Sequence, residues 1–303
     1  ADEENPYYVS EEDEFKGYKL NTTPNAPVVA ATFDLDLQLE YGKQLGNMSL
    51  WTGGPSIWAG GANQHRSPYE GRTHEYFSED PVLSSYALLN MIKGAREYGC
   101  LVGPKHFAFN AIEYNRYGLS EFMTEQSARE GELRCFQKAF ESGECLAVMT
   151  AFNRIGASYI NGHTGLMQNI LRKEWGFKGL ATTDMVNGAY MFRPVETIMG
   201  GLTMMANGQG ADADLKSEWA DVNIEQLSKD PVFNNQLQQN MKYQWYAYAN
   251  SNLLNGMDEN TVVVDNMTWW KATLISLETI FTVTTAALIG SYVLLTYLKK
   301  KAN

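Results

Sequence analysis

Cysteine and histidine are the scarce residues of this 303-residue sequence, at three and four. Cys100, Cys135 and Cys145 show no paired spacing, so neither a disulfide framework nor a cysteine metal knuckle is expected. His65, His74, His106 and His163 are scattered, and a structural zinc site is not expected either. The thiols sit in apolar surroundings and read as buried and inert. Positive charge is also short, with a net charge of −11. Nucleic acid phosphates would be repelled by such a chain. There is no G-x-G-x-x-G fingerprint and no G-x-x-x-x-G-K-[ST] loop, and no cofactor is expected. The opening Ala1-Asp2-Glu3-Glu4 lacks the basic start and apolar run of a secretory signal. With no initiator Met, a fragment or a processed chain is expected.

What is present is an α/β pattern with 44% hydrophobic residues, enough for a substantial core. Residues 1–26 form an acidic lead-in, with seven acidic residues among the first fourteen. Pro27–Phe33 reads as a buried strand. Asp34 then caps a helix to about Gly46. A Gly-rich stretch, 53–81, is too long and too rich in His, Arg and Glu to be a plain connector. Asp80-Pro81 opens a helix that Gly99 stops. A strand over 100–109 ends in Lys105-His106. Helix 121–142, strand 145–153, helix 164–175 and strand 179–184 follow, and 199–206 reads as one more strand. Asp230-Pro231 opens a helix ending near Gly256, whose Phe233, Leu237, Met241 and Trp245 stripe reads as packing.

Alternating strands and helices with polar residues at strand C-terminal ends fit a (β/α)8 TIM-type barrel better than an open sheet. Only five or six strands are visible where closure needs eight. The barrel, 27–256, is therefore expected to be incomplete at its N-terminal side. A linker over 257–271 leads to Thr279–Leu298, 20 residues without charge and about 30 Å as a helix. Trp269, Trp270, Tyr292, Tyr297 and Lys299-Lys300-Lys301 flank it as interface residues would. A transmembrane helix over 272–298 with a basic tail, 299–303, is expected. Cytoplasmic lysines would place the rest outside the cell.

Three strand ends supply Lys105-His106, Phe152-Asn153 and Asp184, and the 53–81 loop supplies Arg72. Cations can donate to hydroxyls, an aromatic ring can pack on a sugar face, and a carboxylate can attack an anomeric centre. Alone, Asp184 equally suits a helix cap. The stretches 65-HRSPYEGRTHEYFSEDP-81, 104-PKHFAFNAIEYNR-116, 148-VMTAFNRIG-156 and 171-LRKEWGFKGLATTDM-185 resemble the N-terminal catalytic barrel of glycoside hydrolase family 3. They stand in the family's order and spacing, across roughly 28–255. The resemblance implies retaining hydrolysis of a β-glycoside, with Asp184 as nucleophile and Arg72, Lys105 and His106 holding sugar hydroxyls. Phe152 stands where many members have Tyr, and Met185 where many have Trp, which bears on substrate preference.

The loop 107-FAFNAIEYNRYG-118 has neither the His nor the Asp of the N-acetylglucosamine-acting members, so the chain resembles the glucosidase/xylosidase branch. In that branch a Glu from a second, sandwich domain serves as acid/base. Neither that domain nor the early D-G-P segment is visible here. A domain-permuted member, with its barrel last and then an anchor, would fit. Glu75, Glu79 and Glu113 are the nearby carboxyls, and the favoured reading is that they brace loops through Arg72 and Arg116. A non-catalytic, membrane-anchored carbohydrate-binding barrel fragment is the rival function. A bare structural anchor would explain only the tail.

Overall fold

The computed structural model describes residues 23–116, 118–185, 193–206, 223–254 and 269–302. Two compact units divide at residue 255. The first is built on parallel strand segments joined by helices. Helix α1 (Ala26–Ala30) and helix α2 (Leu35–Thr52) precede strand β1 (Ser56–Ile57). Helix α3 (Pro81–Arg96) leads to β2 (Leu101–Val102). Strand β3 (Ser120–Glu121) and helices α4 (Glu125–Glu130) and α5 (Arg134–Glu141) lead to β4 (Ala147–Met149). A hairpin of β5 (Arg154–Ile155) and β6 (Ser158–Tyr159) and a π-helix (Gly165–Glu174) lead to β7 (Leu180–Thr182). Helix α6 (Pro194–Gly200) and a long helix, Pro231–Ala249, follow.

The parallel ladder runs in one direction around the unit. Strand β1 pairs β2, and single bridges extend that contact from Gly61 to Lys105. Phe107 bridges Thr150, β4 pairs β7 in register Ala147↔Leu180, and Thr182 bridges Met204. Five parallel segments with helices between them make a barrel-like α/β wall. Eight closed strands are not seen among the described residues. Gly179 admits the close approach of β7 to β4, because a Cβ there would lie 2.2 Å from the Leu146 carbonyl.

Local chemistry explains several boundaries. Asp34, Asp80 and Asp230 each accept backbone N–H bonds from the first turn of α2, α3 and Pro231–Ala249. Gly53 ends α2 in the left-handed region, about two turns beyond the expected Gly46. The expected strand at Pro27–Phe33 instead begins as α1, since Pro27 sits in its first turn, where a missing N–H costs nothing, and the apolar run is too short to show a period. The expected helix 121–142 is interrupted. Ser120–Glu121 pairs with β5, and Gly131, at φ −103° and ψ −100°, separates α4 from α5. The expected strand 199–206 begins as the end of α6 and its Gly201 cap, and beyond them only Met204 is bridged. The long helix ends at Ala249 rather than near Gly256. Its stripe is not core: Phe233 is buried, but Trp245 is 63% exposed.

Under the strand ends lies an aromatic cluster. The Phe107 ring meets Phe136 and Phe140 edge-on at 5.4 Å each and Trp175 at 6.1 Å. Phe177 meets Phe140 at 5.0 Å. These rings bury a large apolar area and fix the chain beside Phe107. The three cysteines are free and buried, and burial pushes the Cys145 thiol up to about 12.

The second unit contains the helix Trp269–Ala302. Its Ala272–Lys301 portion is long and apolar enough to cross a membrane by length and composition.

Among the described residues Arg172 is the buried cation. It donates from Nη1 to Phe177 O and Gly179 O (2.6 Å) and from Nη2 to Gly201 O (2.9 Å), and it lies 3.9 Å over the Tyr243 ring. Burial lowers its pKa to about 9. It ties the entry to β7 and the cap of α6 to the π-helix. Arg172→Leu removes the donors and leaves buried carbonyls unmatched, so a loss of ~3 kcal/mol is expected. Denaturant unfolding of the full chain in detergent measures it, and a change under ~1 kcal/mol would contradict this account.

Candidate active site

Asp184 lies two residues beyond β7, 7% exposed. Its Oδ1 accepts from the Met185 N–H at 2.7 Å, and its Oδ2 lies 3.4 Å from His106 Nε2. Burial raises its pKa, against the pull of that N–H, Arg116, Arg72 and Lys105. The residues where a helix capped by Asp184 would begin fall outside the described residues.

The Lys105-His106-Phe107 segment reaches this carboxylate because both flanks are pinned. Phe107 sits in the aromatic cluster. Asn63 clamps the His106 main chain, its Oδ1 accepting from His106 N (2.8 Å) and its Nδ2 donating to His106 O (3.0 Å). His106 is buried, and burial together with Arg72, Lys105 and Arg116 holds its pKa well below the ordinary value. Both effects favour the neutral imidazole.

Arg72 projects from the long loop with Nη1 3.2 Å from His106 Nε2. It pairs with Glu75 (2.8 Å) and, more loosely, Glu113 (3.5 Å). Lys105 Nζ lies 3.6 Å from Glu75. Burial pulls the Glu75 carboxyl upward, but Arg72, Lys105 and His74 outweigh it and hold it below the ordinary range. Arg116 pairs with Glu113 at 2.9 Å and lies 4.3 Å over the Phe152 ring. Glu75 and Glu113 are thus bound to the cations.

Arg72, Lys105, His106 and Asp184 are brought together as one constellation. Phe152 does not offer an open ring; it is buried beneath the Arg116 guanidinium. Met185, 38% exposed, stands beside the carboxylate. Sequence reasoning missed Asn63, Tyr76 and Asn110, and took Arg116 only for a brace. Asn63 and Asn110 are single polar residues in irregular stretches, without a period to mark them. Tyr76 lies inside a quoted stretch but looks like core. An open cavity of ≈ 790 Å³, lined by Gln64, Arg66, Glu79 and Glu130 among others, contains none of Asp184, His106 or Arg72. Among the described residues no group of three His, Cys, Asp or Glu side chains is placed to hold a metal ion.

The comparisons give the family. The model of the glycosyl hydrolase family 3 N-terminal domain matches residues 8–226, and the chain belongs to glycoside hydrolase family 3. It is 36% identical to beta-glucosidase B of Emericella nidulans over 161 residues, which is 53% of this chain and 19% of that one. It is 34% identical to a probable beta-glucosidase I of Aspergillus terreus over 195 residues, covering 64% and 23%. Among solved structures, beta-glucosidase 3B from Thermotoga neapolitana in complex with glucose superposes with a TM-score of 0.69 at 29% identity, covering 76% and 32%. The Kluyveromyces marxianus beta-glucosidase does so at 0.64 and 26%, covering 83% and 31%. The chain therefore spans about a fifth of these curated relatives and a third of these solved chains.

Glu121 is a further titratable group near β4. Its Oε1 accepts from Asn153 Nδ2 at 3.1 Å. Burial, with Glu132 nearby, raises its pKa from 4.5 to about 7. Below 4.5 it is protonated in both folded and unfolded states. Between 4.5 and about 7 the unfolded chain has released the proton and the fold retains it. Stability should therefore fall as pH rises across that window, the loss being complete above the folded pKa. Glu121→Gln keeps the acceptor without the charge and should flatten that slope. Thermal unfolding of both proteins from about pH 5 to about pH 8 measures it, and parallel curves would contradict the assignment.

Proposed function

We propose that this chain is the nucleophile-bearing part of a retaining, exo-acting β-glucosidase-like hydrolase. The observation that carries this reading is Asp184, a buried carboxylate at a parallel strand end, under the pull of three cations and 3.4 Å from a neutral imidazole. The names of its relatives support the β-glucoside class. Asp184 attacks the anomeric carbon and forms a glycosyl-enzyme, while Arg72, Lys105 and His106 hold the sugar hydroxyls. Arg72, Lys105 and Arg116 keep the buried carboxyl ionised for attack. Phe152 contributes by placing Arg116, and Met185 borders the sugar.

Retaining chemistry requires a second carboxyl about 5–5.5 Å from the first, acting as acid and then base. Glu75 is held ionised by Arg72 and Lys105, which makes it a poor proton donor, and Glu113 is engaged by Arg72, Arg116 and Asn110. The acid/base is assigned to a sandwich domain outside this chain. Residues 27–256 are taken as a partial barrel, 257–271 as a linker, 272–298 as a single membrane span and 299–303 as its cytoplasmic tail. The barrel then faces the outside of the cell. The engagement of Glu75 and Glu113 also favours one rival, a carbohydrate-binding barrel that grips a sugar without cleaving it.

An aryl 2-fluoro-β-glucoside with a good leaving group needs little acid assistance, so it tests the nucleophile directly. Mass spectrometry should find one adduct, on Asp184. Asp184→Asn should abolish it, slowing labelling on the order of 10⁴-fold. Because the Asp184 pKa is raised, the labelling rate should decline with falling pH at a point above the ordinary carboxylate range. A folded wild-type chain that binds glucose and is never labelled would establish the rival.

Deletion of 272–303 should move the protein from the membrane pellet to the soluble fraction. Retention in the pellet would remove the anchor from this reading.

A further inference from the structure

His106 is neutral, so it carries one N–H, and its two ring nitrogens face competing partners. Nε2 lies 3.4 Å from Asp184 Oδ2, an acceptor, and 3.2 Å from Arg72 Nη1, a donor. With Nε2 protonated, the ring donates to Asp184. With Nδ1 protonated, Nε2 accepts from Arg72 and turns its lone pair toward the carboxylate. Nε2 alone does not decide between them.

The decision is made on the other side of the ring. Tyr76 Oη lies 3.2 Å from His106 Nδ1 and is fully buried. Its hydroxyl accepts from Asn110 Nδ2 at 2.7 Å. The same Nδ2 donates to Glu113 Oε1 at 3.0 Å, and that carboxylate fixes which end of the amide faces this way. Tyr76 therefore receives a hydrogen bond from Asn110 and must give its own proton away. His106 Nδ1 is the acceptor within reach. A buried hydroxyl proton without an acceptor would cost free energy.

We propose that Tyr76 is a positioning residue that locks His106 in the Nε2–H tautomer, so that the ring donates to Asp184. The bonds then run in one direction, from Asn110 to Tyr76, from Tyr76 to His106, and from His106 to Asp184. Glu113 anchors the start. Arg72 is left to Glu75, Glu113 and the ligand. With Met185 N–H on Oδ1 and His106 on Oδ2, both oxygens of Asp184 are held. Burial, which raises the Tyr76 pKa, keeps its hydroxyl protonated as the relay requires. The inference deepens the reading of Asp184 as nucleophile and rests on it for its catalytic meaning, although the tautomer itself can be read without any activity.

The test is ¹⁵N NMR of the full chain in detergent with ¹⁵N-labelled histidine, the His106 signals being assigned by their loss in His106→Asn. The expected result is a pyrrole-type Nε2 and a pyridine-type Nδ1 in the wild type. In Tyr76→Phe both nitrogens should shift toward averaged values, because Nδ1 has lost its donor and Arg72 can now compete for Nε2. Labelling of Asp184 by the 2-fluoro-glucoside should slow about tenfold in the same variant, the effect of one weakened hydrogen bond to a charged group. A pyrrole-type Nδ1 in the wild type overturns the proposal even if the variant does not fold. An unchanged Nε2–H in folded Tyr76→Phe also overturns it, since Asp184 alone would then set the tautomer. If the wild type is never labelled, the nucleophile reading fails while the tautomer result still stands or falls by itself.

Discussion

A carboxylate nearly removed from water has to be kept charged, and the arrangement of this protein's strand ends follows from that constraint. Burial alone pushes Asp184 toward the protonated form. Arg72, Lys105 and Arg116 arrive from the loop after β1, the end of the β2 segment and the loop beyond it. Glu75 and Glu113 are shared among these three cations, so the excess of positive charge at the carboxylate is small and local. His106 could not add a fourth charge. Its burial among the same cations disfavours the charged ring, and on the proposed tautomer it acts as a hydrogen-bond donor. The site is thus an electrostatic balance of three cations against Asp184, Glu75 and Glu113, with polar neutral groups setting direction.

The scaffold holds that balance by anchoring backbone away from the charges. Phe107 is buried among Phe136, Phe140 and Trp175, immediately after Lys105 and His106. Arg172 does the equivalent for β7, gathering carbonyls from before the strand and from the cap of α6. Apolar packing and a buried guanidinium accomplish the same end by different physics. The aromatic cluster is non-directional and large in area, and Arg172 is directional and small. Between them the ends of two parallel segments are set relative to each other to within hydrogen-bond reach.

Much of this was legible in the sequence, for reasons that differ by element. Asp34, Asp80-Pro81 and Asp230-Pro231 announce helix starts because a cap acts through its own first turn and needs no tertiary partner. The β4 and β7 segments could be found because both faces of a parallel strand are buried, giving unbroken apolar runs between glycines. The run at Pro27 misled because it is short and apolar, and only the fold decides between strand and helix. Trp245 misled in the opposite way: helical spacing reports which residues share a face, but not whether anything covers it. In the site, Arg72, Lys105, His106 and Asp184 stood out as charged or titratable groups at strand ends and in a long loop. Tyr76, Asn63 and Asn110 did not, because their role is to orient a neighbour, and orientation exists only once the 61–63, 72–76 and 105–113 stretches meet.

The same geometry bears on where the second half of the chemistry must come from. A general acid has to hold its proton near neutrality, which calls for burial without a cation or for a like charge close by. Glu75 meets the opposite condition, with Arg72 and Lys105 both holding its proton off. Glu113 is tied to Arg116 and Arg72 and donates nothing while it orients Asn110. Glu121 does have the raised pKa, but its carboxyl is turned to Asn153 and shares its surroundings with Glu132 and Arg66. Protonation there serves the fold, as an uncharged plug between β3 and the end of β4. On the proposed reading, then, the cations that make Asp184 a competent nucleophile are what disqualify its nearest carboxyl neighbours as acids. A site built this way gains its acid/base from a group that approaches from the sugar's other side, beyond the reach of Arg72 and Lys105.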